Sequence, residues 1–198
     1  RISNNEIAWR ELLREIFGGP LGCSHLLTLA QLVVSFLPEA IAREARSARA
    51  RGHVVLHTRE PGGTPLAEAV RELLLTGGDA PGLRTEALLF AAARADHTER
   101  LIAPALAAGK WVVCDRFVDS SRAYQGGGGG LPDEDILTLH RIGSKGLLPD
   151  LTLLIEVDPE VATARTLARD AGADDRIGGR DKAYHHKVKK AFDAIAEA

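Results

Sequence analysis

"KWVVCDRFVDSSRAYQGGGGG", residues 110–130, runs from an apolar segment into an acid, a base, a polar turn and five consecutive glycines. Trp111, Val112, Val113 and Cys114 are apolar without alternation, the pattern of a strand covered on both faces. Two similar runs, "HVVLHT" (53–58) and "LTLLIEV" (151–157), share it. Helical spacing lies between them: Leu66, Val70, Leu73 and Leu74, then Leu88, Leu89 and Ala92, then Leu101, Ile102, Ala105 and Leu106. "PEVATARTLARD" (159–170) and "KAYHHKVKKAFDAIAEA" (182–198) read as further helices. Strands alternating with helices predict an α/β fold, a mostly parallel sheet with helices on both faces. Its ligands belong beyond the carboxyl ends of the strands.

The totals are compatible with this. A chain of 198 residues with 25 Lys plus Arg against 27 Asp plus Glu suits one domain with a real core. Balanced charge gives no bulk attraction to nucleic acid or to an anionic membrane, and neither partner is expected. Arg43, Arg46, Arg49 and Arg51 read as a solvated helix face, with a basic nucleic-acid-binding arm as the weaker alternative. Cys23 and Cys114 lack metal-ligand spacing, and Cys114 reads as a small buried hydrophobe, so a reducing cytoplasm fits best. The apolar stretch at 26–38, interrupted by Gln31 and Ser35, is shorter than the roughly 20 residues of a membrane helix. No signal peptide is read, and the opening on Arg1 leaves room for a missing beginning.

The strand ends carry the chemistry. A carboxylate closing an apolar strand is costly to desolvate unless a cation meets it, and a hydrated magnesium ion is a common partner in phosphoryl transfer; Asp115 is placed for that role. Arg116 offers a planar fork for phosphate oxygens. A plain ion pair between the two is the structural alternative. Arg59 and Glu60 repeat the pattern after the neighbouring strand, and Pro61-Gly62-Gly63 predicts a tight turn with bare backbone. The glycines at 126–130 either fold over a ligand or are slack, with part of the run read as slack.

Three stretches, "TREPGGTPLAEAVRELLL" (58–75), "LLFAAARADHTERLIAPALAAGKWVVCDRFVDSSRAYQGGG" (88–128) and "LPDLTLLIEVDPEVATAR" (148–165), closely resemble bacterial thymidylate kinases, in order and at matching separations. The resemblance covers roughly residues 48–192. It implies a P-loop kinase fold, transfer of the terminal phosphoryl group of ATP to dTMP with Mg2+, and a homodimer. Position by position, it implies that Phe90 stacks on thymine and that Arg94, one helical turn on, bonds its edge; residues four apart do share a helix face. By the same resemblance Arg59 and Arg116 hold the acceptor phosphate with Glu60 beside them. Asp115 serves the magnesium shell, and Ser120, Ser121, Tyr124 and Gln125 line base and sugar. A lid at about 169–181 brings Arg176, with Arg169 or Arg180 as further candidates, to the ATP phosphates.

The chain departs from the family at its start. A strand followed by a glycine-rich loop ending in Gly-Lys-Ser/Thr should cradle the donor phosphates. Counting back from residue 47, that loop falls near 31–39, "QLVVSFLPE", without glycine or lysine, and Lys110 is the first lysine in the chain. "FGGPLGCSH" (17–25) reads as an accidental likeness. Residues 1–47 are therefore set apart as an atypical segment lacking a P-loop, irregular or helical, with the first strand incomplete; residues 48–198 form the kinase-like domain. The far end also reads as short of a family strand and helix. Two functional expectations follow: a dTMP kinase, or a non-catalytic protein that keeps the dTMP pocket. A kinase for another nucleoside monophosphate is a third.

Overall fold

The structure is a computed structural model describing residues 26–31, 54–76, 79–155 and 176–198, with the backbone alone for 26–31 and 155. In chain order come β1 (Leu26–Gln31), β2 (Val55–Arg59), α1 (Pro65–Leu75) and α2 (Leu83–His97). Helix α2 continues through a π-helical turn, Thr98–Ile102, into α3 (Ala103–Ala107). There follow β3 (Trp111–Asp115), α4 (Val118–Ser121) with a π-helical extension Arg122–Gly128, α5 (Asp133–Gly143), β4 (Leu151–Ile155) and α6 (Lys182–Glu197).

The strands form one sheet in the order β2-β3-β1-β4, and every pairing is parallel. Asp115 pairs with Arg59, the end of β2, on one side and with Leu29 of β1 on the other, so the acid ending β3 stands between two neighbouring strands. Trp111 to Cys114 are all buried, although successive side chains point to opposite faces; β3 is covered on both sides, as its sequence predicts. Ile102, Ala105, Val112, Cys114, Phe117 and Val118 form one core cluster. Ala123, Leu154, Val188 and Phe192 form a second, which seats α6.

Local signals set the helix starts. Thr64 caps α1 by accepting from the Ala67 N–H, with Pro65 at the first helical position. Asp181 caps α6, its carboxylate accepting from the Tyr184 N–H at 2.7 Å.

The first strand corrects the expectation for residues 1–47. Leu26–Gln31, lying inside the segment set apart, form a strand at the centre of the sheet, so the first strand is present. Its run "LLTLAQ" is poor in β-branched residues and has no strand signature of its own; pairing with β3 and β4 on both sides supplies what local preference does not. Gln31 then ends the strand where the count from the motifs places the following loop; that loop, the arginines at 43–51 and the helix at 159–170 lie outside the described residues. Helix α5 was not anticipated. Its signal is the acidic first turn Asp133, Glu134 and Asp135 after Pro132, with His140 and Arg141 in the last turn, which complements the helix dipole at both ends.

The glycine run divides between close packing and open space. A Cβ on Gly127 would overlap that of Ala191 on α6, and one on Gly128 would lie 2.6 Å from Val188 Cγ2. Gly130 alone of the five has open space around it at positive φ.

Ile102 is fully buried between α3 and β3. Ile102→Ala is expected to cost about 2–5 kcal/mol, read as a lowered urea midpoint with an unchanged slope.

Candidate functional site

The site grows from the ends of β2 and β3. The Glu60 N–H donates to the Asp115 carbonyl at 2.8 Å, continuing the strand pairing one residue past β2 and fixing the two turns against each other. The chain then folds through Pro61, Gly62 and Gly63. Gly63 has φ 86°, and a Cβ there would come within 2.5 Å of both Thr58 Oγ1 and His97 Nε2, so only glycine fits. Its N–H donates to Glu68 Oε1 at 3.0 Å, and Arg71 Nη1 donates to the Pro61 carbonyl at 3.0 Å. The bond from Gly63, with Arg59 nearby, holds the Glu68 carboxyl below its usual range.

Beneath this turn lies a buried ion pair. Arg94 Nε donates to Glu60 Oε2 at 2.6 Å, with the side chains only 5% and 3% exposed. Arg94 Nη2 donates to Ser121 Oγ at 2.9 Å and to the Phe117 carbonyl at 3.2 Å, while the guanidinium carbon lies 5.5 Å from the Phe117 ring centre. The other Glu60 oxygen is 3.2 Å from His97 Nδ1, and His97 Nε2 is 2.7 Å from Thr58 Oγ1. A side chain from α2 is thereby tied to the tips of both β2 and β3. Burial pushes the neighbouring Cys114 thiol well above its ordinary range, with the Glu60 and Asp115 charges adding to the effect.

Asp115 has a different environment. Its Oδ1 is buried and accepts no hydrogen bond from the described residues. Burial raises its pKa, opposed by the charges of Arg116, His57, Arg71 and Arg59. A carboxylate oxygen with no donor among the described residues suits a bound cation, and the basic side chains around it suit the anion that accompanies one. Arg116 follows in a left-handed conformation, φ 67°, with its guanidinium carbon 5.2 Å from the Tyr124 ring centre. Ser120 Oγ, a few residues on, is likewise buried without a partner among the described residues.

A second buried acid, Glu86 on α2, joins three elements. Gln125 Nε2 donates to Glu86 Oε1 at 2.8 Å, and Arg180 Nη2 donates to Glu86 Oε2. Arg180 also lies 4.5 Å from the Tyr184 ring centre, and the Tyr184 hydroxyl donates to the Tyr124 carbonyl at 3.0 Å. Burial is the main reason the Tyr184 hydroxyl pKa is pushed up to about 12.

The structure therefore joins Glu60, Arg94 and Ser121 directly, with Phe90 half-buried one helical turn before Arg94. Arg59 and Asp115 are strand partners, but the Arg59 side chain is 53% exposed and pairs with Glu68 at 3.2 Å. Gln125 spends its amide on Glu86. Arg176 lies apart, Nη1 donating to the Leu73 carbonyl near the end of α1. Of the lid at 169–181, residues 176–181 are described, and Arg169 is not. Sequence reasoning missed Thr58, Glu86, His97 and Phe117. Only His97 had a usable signal, three residues after Arg94 and so on the same helix face.

Glu60→Ala would strand a buried guanidinium. It is expected to cost about 3–5 kcal/mol in chemical denaturation. Arg59→Ala, which breaks the exposed pair with Glu68, is expected to cost no more than about 1 kcal/mol.

Comparison with known proteins identifies the family. The sequence profile of the family described as Thymidylate kinase matches residues 41–198. A thymidylate kinase of Rhizorhabdus wittichii is 56% identical over 153 residues, 77% of this chain and 74% of that protein. One from Latilactobacillus sakei subsp. sakei is 40% identical over 183 residues, 92% of this chain and 80% of that protein. The crystal structure of thymidylate kinase from Ehrlichia chaffeensis superposes with a TM-score of 0.67 at 30% identity, covering 88% of this chain and 87% of that one. With the profile spanning most of the chain and relatives at 40% and 56% identity, the conclusion is plain: the chain belongs to the thymidylate kinase family.

Proposed function

We propose that this chain transfers the terminal phosphoryl group of ATP to dTMP, giving dTDP. The observation that carries this reading is the buried Arg94 guanidinium one helical turn from Phe90. Its bonds to Glu60, Ser121 and the Phe117 carbonyl use Nε and Nη2; among the described residues Nη1 meets no acceptor, and it is the donor for a pyrimidine carbonyl. Phe90 then stacks on the ring while Arg94 reads its edge. Ser120, Ser121, Tyr124 and Gln125 line the nucleoside around this pair, Ser120 Oγ having no partner among the described residues.

Arg59 and Arg116, from adjacent strand ends, clamp the acceptor phosphate. Arg59 leaves its exposed pair with Glu68 at a cost of about 1 kcal/mol or less. Asp115 would hold the shell of a magnesium ion through the oxygen left without a donor. When bound, that ion neutralises charge on the phosphoryl oxygens. On the donor side the sequence after β1, "LVVSFLPE" (32–39), has no glycine or lysine, so the positive charge against ATP falls to arginines. Arg176 and Arg180 on the lid are the candidates. The same segment is what favours the second reading, a dTMP-binding protein without turnover.

We also propose a homodimer. Leu66, Ala69 and Leu73 form an exposed stripe on α1, and Leu88 with Ala92 forms one on α2. Apolar stripes on two helices suit a second copy of the chain. A cytoplasmic location accords with a nucleotide substrate, and no described helix is long and apolar enough to cross a membrane.

ADP release coupled to a reporter, with dTMP, ATP and Mg2+, should exceed the rate without dTMP, and Asp115→Asn should lower it by about 100-fold or more. Calorimetric dTMP binding without any ADP release would overturn the kinase reading in favour of the binding protein. Light scattering should give twice the chain mass, reverting to one chain in Leu73→Glu; a monomeric parent protein would sink the dimer.

A further inference from the structure

His97 has no place in the mechanism above, yet it is fully buried at the centre of the site. It ends α2, one turn beyond Arg94 and on the same face. Its Nε2 lies 2.7 Å from Thr58 Oγ1 near the end of β2, and its Nδ1 lies 3.2 Å from Glu60 Oε1. Glu60 passes the contact on, its other oxygen accepting from Arg94 Nε at 2.6 Å. An ionised carboxylate can only accept, so the imidazole carries its proton on Nδ1. Without that proton donor Glu60 Oε1 would face a buried space with no partner, and the carboxylate would be free to turn and take Arg94 with it.

The imidazole is clamped as well as bonded. Gly63 leaves no space on the Nε2 side, since a Cβ there would lie 2.5 Å from that nitrogen. Glu60, His97 and Cys114 bring their possible ligand atoms within 4.8 Å of one another, which is the spacing of a metal site. The bonds argue otherwise. Both ring nitrogens have partners, one carboxylate oxygen is spent on Arg94, and burial holds the thiol protonated. The cation that this cluster serves is the guanidinium.

We infer that His97 is a positioning residue for the acceptor nucleotide: through Glu60 it fixes the plane of the Arg94 guanidinium, and so sets the affinity for dTMP without touching it. This rests on the reading of Arg94 as the residue that binds the pyrimidine edge. The arrangement puts the reader and its brace on one rigid helix, with Thr58 and Glu60 of the neighbouring strand end as the fixed points.

The test is a double-mutant cycle on dTMP affinity, measured by calorimetry in the full chain. Arg94→Ala should weaken dTMP binding by about 30-fold or more, and His97→Ala by about 10-fold, the range for bonds to charged groups. In the Arg94→Ala background the His97→Ala change should cost less than about twofold, because the group being positioned is gone. His97→Asn, whose amide can replace the Nδ1 donor, should keep affinity within about threefold of the parent; His97→Gln, which reaches only toward the Nε2 side, should not. A merely structural His97 would instead give additive losses in the cycle and equal affinities for the Asn and Gln variants, and either result overturns the inference. Should His97→Ala not fold, the Asn and Gln variants decide on their own. Undiminished dTMP binding by Arg94→Ala would refute the base-binding reading itself and the inference with it, whereas a weakened Arg94→Ala beside an unaffected His97→Ala refutes the inference alone.

Discussion

The Glu60–Arg94 ion pair is the constraint on which the rest of the site depends. Two opposite charges, almost wholly removed from water, are tolerable only if most of their hydrogen-bonding capacity is met. Here the carboxylate is met by Arg94 and His97, and the guanidinium by Glu60, Ser121 and a main-chain carbonyl. Meeting those needs draws β2, α2 and the turn after β3 to one point. It also explains the glycine at position 63, since the imidazole and the threonine hydroxyl occupy the volume a side chain would need. The order of the strands then places Asp115 beside this knot, between two neighbouring strands.

What could be read in the letters, and what could not, divides along physical lines. β3 was legible because a strand buried on both faces must be apolar throughout, and β2 and β4 because each falls in a short apolar run without alternation. Helices α1, α2 and α6 were legible because one face of each must be apolar at helical spacing. β1 was not, because "LLTLAQ" becomes a strand through its two neighbours and not through its own preferences. Of the site, the residues following strands stood out: Arg59, Glu60, Asp115 and Arg116. The partners that hold them did not, since Thr58, Glu86 and His97 are ordinary polar letters until folding buries them together. The five glycines show the same limit from the other side. Loose as they look in sequence, Gly127 and Gly128 are where α6 lies directly on the chain with no side chain between.

A second knot, around Glu86, ties the segment at 176–181 to the chain after β3. One carboxylate oxygen holds Gln125 and the other holds Arg180, whose neighbour Tyr184 reaches back to the Tyr124 carbonyl. The Arg180 contact uses Nη2 and the acid it meets is buried, so a single carboxylate joins α2 to the chain at Gln125 and at Arg180.

Arg116 carries a further consequence. A residue with a Cβ held at φ 67° sacrifices roughly 1–2 kcal/mol relative to a relaxed backbone. Glycine would remove that penalty, and would remove the guanidinium over Tyr124 at the same time. The chain gives up a little stability there to keep a guanidinium against an aromatic ring, a sacrifice carried by a single backbone angle.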